Sequence, residues 1–235
     1  MGRLIVALLS DSEDFDVVAE LTSGSDLAEM VGADIAVDVT TPSVSADVVQ
    51  FAAEHGIRVL VGTSGWSAPR VAALRKSIDA DAAVLIVPNF SLGSVLATSF
   101  AAMAGRFFES VEIIESHHAA KPDSPSGTAV RTAELIGAAR SELGPVRAPH
   151  ADQRARGQQV SSVPIHSLRL SGVVAKQEVV FGGTGEVLTL THETLDNSAY
   201  HAGILLALRG MAGIRGVVVG LDALLDLGAP PAVPR

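Results

Sequence analysis

The sequence predicts an α/β protein in two parts, a parallel-sheet domain and an α+β domain with an open mixed sheet. Three observations carry this. Of the 235 residues 48% are hydrophobic but only 4% aromatic, and 22 are Gly, the balance of helices packed closely on a sheet. The first half alternates short apolar runs with helical spacing, the pattern of βαβ units. The second half sets strand-like runs in succession, divided by glycine-containing turns, the pattern of antiparallel neighbours. The length suits one large domain or two modest ones.

Taken in order, residues 16–21, 34–40, 58–63 and 82–88 read as strands, being short, apolar and bounded by polar segments. Residues 43–55 and 68–78 carry apolar side chains at helical spacing, with Ser43 and Ser67 placed as N-caps. A long helical pattern covers 93–108. A strand at 111–116, a polar turn and a helix at 127–143 follow, then a linker at 144–162 rich in Arg, Gln and Pro. Beyond it 164–170, 173–181 and 187–194 read as strands. A last helix at 198–211 and the apolar 217–225 return to the first domain. The expected domains are therefore 1–95 with 205–235, and 96–204.

With 26 acidic against 17 basic residues the net charge is -9, which repels phosphate backbones and anionic membranes. Neither a nucleic-acid partner nor a membrane partner is expected. The absence of cysteine excludes disulfides and thiolate metal sites and suits a reducing, cytoplasmic setting. The apolar run at 4–9 is too short for a membrane span, and Asp11, Glu13 and Asp14 follow it at once, unlike a secretion signal.

The densest chemistry lies in Glu115-Ser116-His117-His118-Ala119-Ala120-Lys121-Pro122-Asp123-Ser124-Pro125-Ser126-Gly127-Thr128-Ala129, where a strand runs through a polar turn into a helix. Two imidazoles and an ammonium can supply protons near neutral pH and can neutralise carboxylates. Ser126, Gly127 and Thr128 open the helix, so their N–H groups and the helix dipole can hold an anion. A polar turn with an ordinary N-cap would account for the same letters. Adjacent histidines on a strand point to opposite faces, and no spaced Cys, His or Glu set completes a zinc site, so no metal is expected.

Two further segments end strands at the carboxyl edge, where open α/β sheets bind ligands. In Val61-Gly62-Thr63-Ser64-Gly65-Trp66 the glycine lets a ligand approach the backbone, and two hydroxyls can bond its polar groups. In Val87-Pro88-Asn89-Phe90-Ser91-Leu92-Gly93 the Asn is otherwise a plain turn residue.

The 115–129 stretch resembles the signature of the dihydrodipicolinate reductases, E-x-H-H-x-x-K-x-D-A-P-S-G-T-A, with Ser124 in place of Ala. The resemblance implies reduction of 4-hydroxy-tetrahydrodipicolinate to tetrahydrodipicolinate in diaminopimelate and lysine synthesis, with NADH or NADPH as cofactor. It implies His117 and Lys121 as the catalytic pair, and His118, Ser126, Gly127 and Thr128 as ligands of a small dicarboxylate. The segment from Val61 is similar to the family's V-G-T-T-G-F, implying cofactor contacts from Gly62, Thr63 and Ser64. That from Val87 is similar to A-P-N-F-S-x-G, implying that Val87, Pro88, Asn89 and Phe90 line the cofactor. A homotetramer built through the second domain's sheet is implied as well.

Weaker echoes are Asp38 to Pro42 (D-F-T-x-P), His166 to Gly172 (S-x-R-x-G-G) and Gly185-Glu186. His192 and His201 are expected as packing or surface residues, and Asn197 stands where many members carry Arg. Met1-Gly2 resemble the end of the family's G-x-x-G-x-M-G turn, so Gly2 is expected beside the cofactor and 3–10 as the first helix. The implied fold is a Rossmann-like dinucleotide-binding domain whose first strand and glycine loop have no counterpart here, joined to an α+β substrate and tetramerisation domain. Thr22, after 16–21, stands where NAD-preferring proteins place an acid, with no Arg beside it, so the choice of cofactor stays open. The alternative is a non-catalytic remnant that binds a dicarboxylate or assembles through its second domain.

Overall fold

A computed structural model describes residues 1–227, so the last part of the expected first domain, 228–235, lies outside the described residues. The chain divides into two compact units, Met1–Phe90 with Tyr200–Arg235, and Ser91–Ala199. In chain order the elements are α1 (Gly2–Ser10), β1 (Ile35–Asp38), α2 (Ser45–Glu54), β2 (Arg58–Val61), α3 (Ala68–Ser77) and β3 (Ala83–Ile86). The second unit then holds α4 (Leu92–Ala104), β4 (Ser110–His118), α5 (Gly127–Ala139), β5 (Gln158–Val160), β6 (Val163–Leu170), β7 (Ala175–Gly183) and β8 (Glu186–Thr194). The chain returns to the first unit with α6 (His201–Gly210) and β9 (Gly216–Val219).

The first unit is built on a parallel sheet of order β1-β2-β3-β9. Strand β3, and β2 beyond Arg58, are apolar because parallel strands are covered on both faces: Val59, Leu60, Val61, Val84 and Leu85 are fully buried. Met30, Val49, Ala52, Val71 and Leu74 pack against one side of that core.

The strand expected at 16–21 does not form. Asp16 and Glu20 frame too few apolar residues to anchor it, Val18 is exposed, and no ladder partner lies beside it among the described residues. Strand β1 is the edge of the sheet. The expected cap at Ser43 is also displaced: the N-cap of α2 is Val44, and the Ser43 hydroxyl pairs with Thr41 at 3.1 Å. Ser67 does occupy the N-cap of α3, although its side chain makes no capping bond.

The second unit is a mixed sheet of order β5-β6-β4-β7-β8. The later strands are not simple antiparallel neighbours, as their sequence spacing suggested. Strand β6 runs parallel to β4, and β7 and β8 continue antiparallel on the other side. Because β4 lies between β6 and β7, residues 171–174 must cross the carboxyl end of β4, where Leu170 pairs with His118 and Ala175 with His117. The linker at 144–162 is not featureless, since β5 adds an edge strand to β6. The two long helices stop short of their sequence patterns, at Ala104 and Ala139.

Helix α5 packs on β4, β5 and β6, and α4 packs on α5 and β8. Their shared core is Ala101, Val111, Ile113, Ala133, Ile136, Ile165, Val179 and Phe181. On the opposite face alternation places Glu112, Ile114, Ser116 and His118, with Leu168, Leu170 and Val187 exposed.

Candidate active site

The helix-covered face of the second sheet changes character along β4. Its amino-terminal rows are apolar, Val111 beside Phe181 and Ile113 between Ile165 and Val179. The next row is polar: Ser167, Glu115, Gln177 and His192 stand side by side across β6, β4, β7 and β8. The last row sets His117 between Arg169 and Ala175. A polar row under a helix-covered face costs desolvation unless its groups are paired, which makes it a candidate for chemistry rather than packing.

Glu115 is fully buried and is the centre of that pairing. Arg169 holds it in a bidentate fork, with Nη1 donating to Oε2 and Nη2 to Oε1, each at 3.0 Å. The Ser126 N–H donates to Oε1 at 3.2 Å, and His117 Nδ1 lies 2.6 Å from Oε2. Burial alone would raise the Glu115 carboxyl, but the hydrogen bonds from Arg169, Ser167 and His117 outweigh it and hold the group below its ordinary value. Burial lowers His117 from its ordinary 6.5; Glu115 opposes this, and the positive charges of Lys121 and Arg169 reinforce it.

The turn beyond β4 is folded back on the strand. The Lys121 N–H donates to the His118 carbonyl at 3.1 Å, and Lys121 Nζ is paired with Asp123 Oδ1 at 2.8 Å. Ser126 caps α5 by accepting from the Ala129 N–H at 3.2 Å. Its own N–H is taken by Glu115, so of the three residues expected to offer backbone donors to an anion, Ser126 cannot. Gly127 is exposed, and apart from its chain neighbours and its own helix backbone no protein atom lies within 4 Å of the place where a Cβ would stand. His117 and His118 leave the strand toward opposite faces, because β4 extends to residue 118 instead of stopping at 116. His118 is exposed and is not gathered with the Glu115 cluster.

Two contacts were not anticipated. His192 Nε2 lies 3.0 Å from Ser91 Oγ, and a Cβ at Gly93 would stand 2.8 Å from the same imidazole. Burial also lowers the pKa of His192. Behind Glu115, Gln177 Nε2 donates to Thr132 Oγ1 at 3.0 Å, and Thr98 Oγ1 completes a buried polar group beneath α4 and α5.

In the first unit, the carboxyl ends of β1, β2 and β3 form one polar edge. The Gly62 N–H donates to the Asp38 carbonyl at 2.8 Å, and the Val87 N–H to the Val61 carbonyl at 2.7 Å. Asp38 is buried and accepts from the Thr40 N–H and hydroxyl and from the Ser45 hydroxyl, to which Trp66 Nε1 also donates. The Thr63 hydroxyl is turned back to the Asp38 carbonyl at 3.3 Å, whereas Ser64 and Pro88 are exposed and Asn89 is half-buried. Gly62 does not keep its side open for a ligand. A Cβ there would stand 2.6 Å from the Phe90 ring, which fills that space. Gly2 opens α1, and the site of its missing Cβ is 3.8 Å from Val39, just beyond β1. Thr22 lies in an exposed turn, its N–H donating to Ser25 Oγ.

No group of three or more His, Cys, Asp or Glu able to hold a metal occurs among the described residues, and no described helix is long and apolar enough to cross a membrane.

The family models described as "Dihydrodipicolinate reductase, N-terminus" and "Dihydrodipicolinate reductase, C-terminus" match residues 1–90 and 93–225. A 4-hydroxy-tetrahydrodipicolinate reductase of Clavibacter sepedonicus is 62% identical over 229 residues, covering 97% of this chain and 83% of its own. That of Nocardia farcinica is 45% identical over 235 residues, covering 97% and 95%. Among solved structures, a dipicolinate-bound dihydrodipicolinate reductase from Paenisporosarcina sp. TG-14 is similar with a TM-score of 0.77 at 28% identity, over 95% of both chains. The chain belongs to the dihydrodipicolinate reductase family, NAD(P)H-dependent oxidoreductases of diaminopimelate and lysine synthesis.

Proposed function

We propose that in reducing 4-hydroxy-tetrahydrodipicolinate this chain uses His117 as the proton donor and Lys121 as the cation that receives a substrate carboxylate. The observation that carries this is the Glu115–His117 contact at 2.6 Å, which engages Nδ1 and leaves Nε2 as the nitrogen for substrate. A nicotinamide cofactor, when bound, would supply the hydride to one carbon of the ring from which the 4-hydroxyl has left as water. His117 Nε2–H gives the neighbouring ring carbon its proton, and Lys121 offsets charge on the carboxylate and on the ring.

Lys121 rests on Asp123 at 2.8 Å, so an incoming carboxylate exchanges one partner for another. The open space at Gly127, on the first turn of α5, suits the second carboxylate, with Thr128 beside it. A dicarboxylate fits this arrangement, as does the dipicolinate held by the Paenisporosarcina relative. Burial is the main cause that lowers His117, and a bound dicarboxylate would offset the smaller contribution of the Lys121 and Arg169 charges, which favours the protonated donor. His118, on the other face, contributes to carboxylate binding from the strand end.

The edge at Ser64, Pro88, Asn89 and Phe90 fits the nicotinamide end of a dinucleotide, offering polar groups on loops beyond an apolar sheet, with the start of α1 at Gly2 beside Val39. NADH and NADPH are both accommodated by this reading, since Thr22 offers neither an acid for a ribose nor a cation for its phosphate. The exposed Leu168, Leu170 and Val187 on the uncovered sheet face support assembly as a homotetramer, and the acidic composition is compatible with a cytoplasmic setting.

Replacing His117 with Gln tests the reading. We expect kcat to fall by ~10²–10⁴ with KM little changed. A variant retaining at least half of the parent kcat would remove His117 from the donor's role.

A further inference from the structure

We propose that Glu115 and Arg169 are a positioning pair that fixes the proton donor and the carboxylate-receiving turn as one unit. The proposal rests on His117 being that donor. Its basis is the distribution of the hydrogen bonds. Glu115 spends one carboxylate on three separate pieces of chain: His117 on its own strand, Arg169 on β6, and the Ser126 N–H at the start of α5. Arg169 in turn reaches the turn itself, with Nη2 donating to the Asp123 carbonyl at 2.5 Å, and it braces its own strand through Nη1 to the Leu168 carbonyl at 2.7 Å. The arrangement ties the imidazole at two points, Asp123 and Ser126, to the segment that carries Lys121 and Gly127.

Fold stability alone gives no reason for this choice. A fully buried carboxylate paired with a largely buried guanidinium recovers its desolvation only through near-complete pairing, and an apolar pair of similar volume is often as stable. The adjoining row on the same face is in fact apolar, Ile165, Ile113 and Val179. Arg169 even leaves Nε buried without a partner, a cost that packing would not select. Charge returns where the imidazole begins.

Each member has a separate effect. Glu115 accepts the Nδ1 proton and so presents Nε2 outward in a defined tautomer. Arg169 balances the carboxylate and keeps it from locking His117 as a permanent imidazolium. The other groups around His117 are Lys121 and Asp123 from the turn; β7 places Ala175 beside it, α5 begins with uncharged Gly127 and Thr128, and His192 stands one row back across Gln177. Removing the anion and removing the cation must therefore move the imidazole titration in opposite directions.

The experiment uses the full chain with Glu115→Gln, Arg169→Met and Arg169→Lys, beside His117→Gln. The His117 imidazole is titrated by NMR without substrate, and kcat and KM are measured against pH with 4-hydroxy-tetrahydrodipicolinate. Glu115→Gln is expected to move the titration, and the alkaline limb of activity, to lower pH and to reduce kcat by about tenfold or more with KM within about threefold. Arg169→Met is expected to move both to higher pH and to raise KM, because the turn loses its tie at Asp123. Arg169→Lys keeps the charge without the fork and is expected to titrate like the parent while KM rises. NMR shifts of the same sign, or none, in folded Glu115→Gln and Arg169→Met would overturn the pair. Full activity in His117→Gln with opposite NMR shifts would instead overturn the donor assignment and leave the pair standing.

Discussion

Replacing Gly203 with Ala should disturb the proposed cofactor edge at Phe90. Gly203 lies on α6, and a Cβ built there would stand 1.8 Å from the Phe90 carbonyl oxygen and 2.8 Å from its carbon. The neighbour is backbone, so no rotamer change relieves the contact. To reach ordinary van der Waals separation, starting at 3.4 Å, the oxygen has to retreat by roughly 1.6 Å. The Phe90 ring cannot follow freely, because it already fills the space beside Gly62 at 2.6 Å from a Cβ position there. Phe90 is thus held by two glycines, its main chain against one and its ring against the other.

Overpacking of this kind costs about 1–3 kcal/mol, against a gain of up to ~1 kcal/mol from replacing a helical glycine. A net loss of about 1–2 kcal/mol corresponds to roughly 2–8 °C in Tm for a chain of this size. The matched control is Gly213→Ala, where nothing lies within 4 Å and the backbone is not left-handed. Urea and thermal melts of both variants, with titration of NADH and NADPH, give the comparison. Gly203→Ala should melt below Gly213→Ala and bind cofactor more weakly. Coincident melts and equal affinities would refute the claim that Phe90 is clamped between these glycines.

Gly127→Ala should separate function from stability: with open space around it the variant should melt within about 0.5 kcal/mol of the parent, while KM for substrate rises because the methyl enters the proposed carboxylate position. Asp123→Asn removes the carboxylate that competes for Lys121 and should lower KM, by no more than about fivefold, since exposed pairs contribute ~1 kcal/mol at most; steady-state kinetics at low salt reads it. Stability should fall as pH falls from about 6.5 through the carboxylate range. His117 and His192 lie below 6.5 in the fold, and Glu112, Glu115 and Asp123 lie below their ordinary values, so the unfolded chain binds more protons across this whole window. A melting temperature at pH 5 equal to that at pH 7.5 would contradict this.

Much of the architecture was legible because burial writes itself into periodicity. Strand β3, and β2 after Arg58, are buried on both faces and read as continuous apolar runs; β7, helix-covered on one face, keeps its alternation of buried and half-buried residues. Residues 16–21 show the limit of that signal. A short apolar run states that a segment could sit in a sheet, but a strand needs a neighbour with free ladder groups, which no local pattern reports. The order of the second sheet was hidden for a related reason. Strands β6 and β7 are close in sequence, yet β4 lies between them, and only the register with Ile113 to His118 reveals it.

The site divides along the same line. The 115–129 segment carried its own chemistry in sequence, but the partner that organises it, Arg169, is 54 residues away from Glu115 and arrives through the parallel pairing of His117 with Arg169. Both residues lay inside quoted motifs. Nothing local says that they touch. Glycine carries the same ambiguity: its one signal, the missing Cβ, answers opposite demands. At Gly62 the space is taken by the protein, and the glycine serves the packing of Phe90; at Gly127 the space is open, and the protein itself gives no reason to omit a methyl. The sequence shows the same letter at two loop ends. Whether it admits a ring or leaves room for a ligand is decided by what the rest of the chain brings to that point, and it is the difference between a variant that should melt early and one that should fold but fail to hold its substrate.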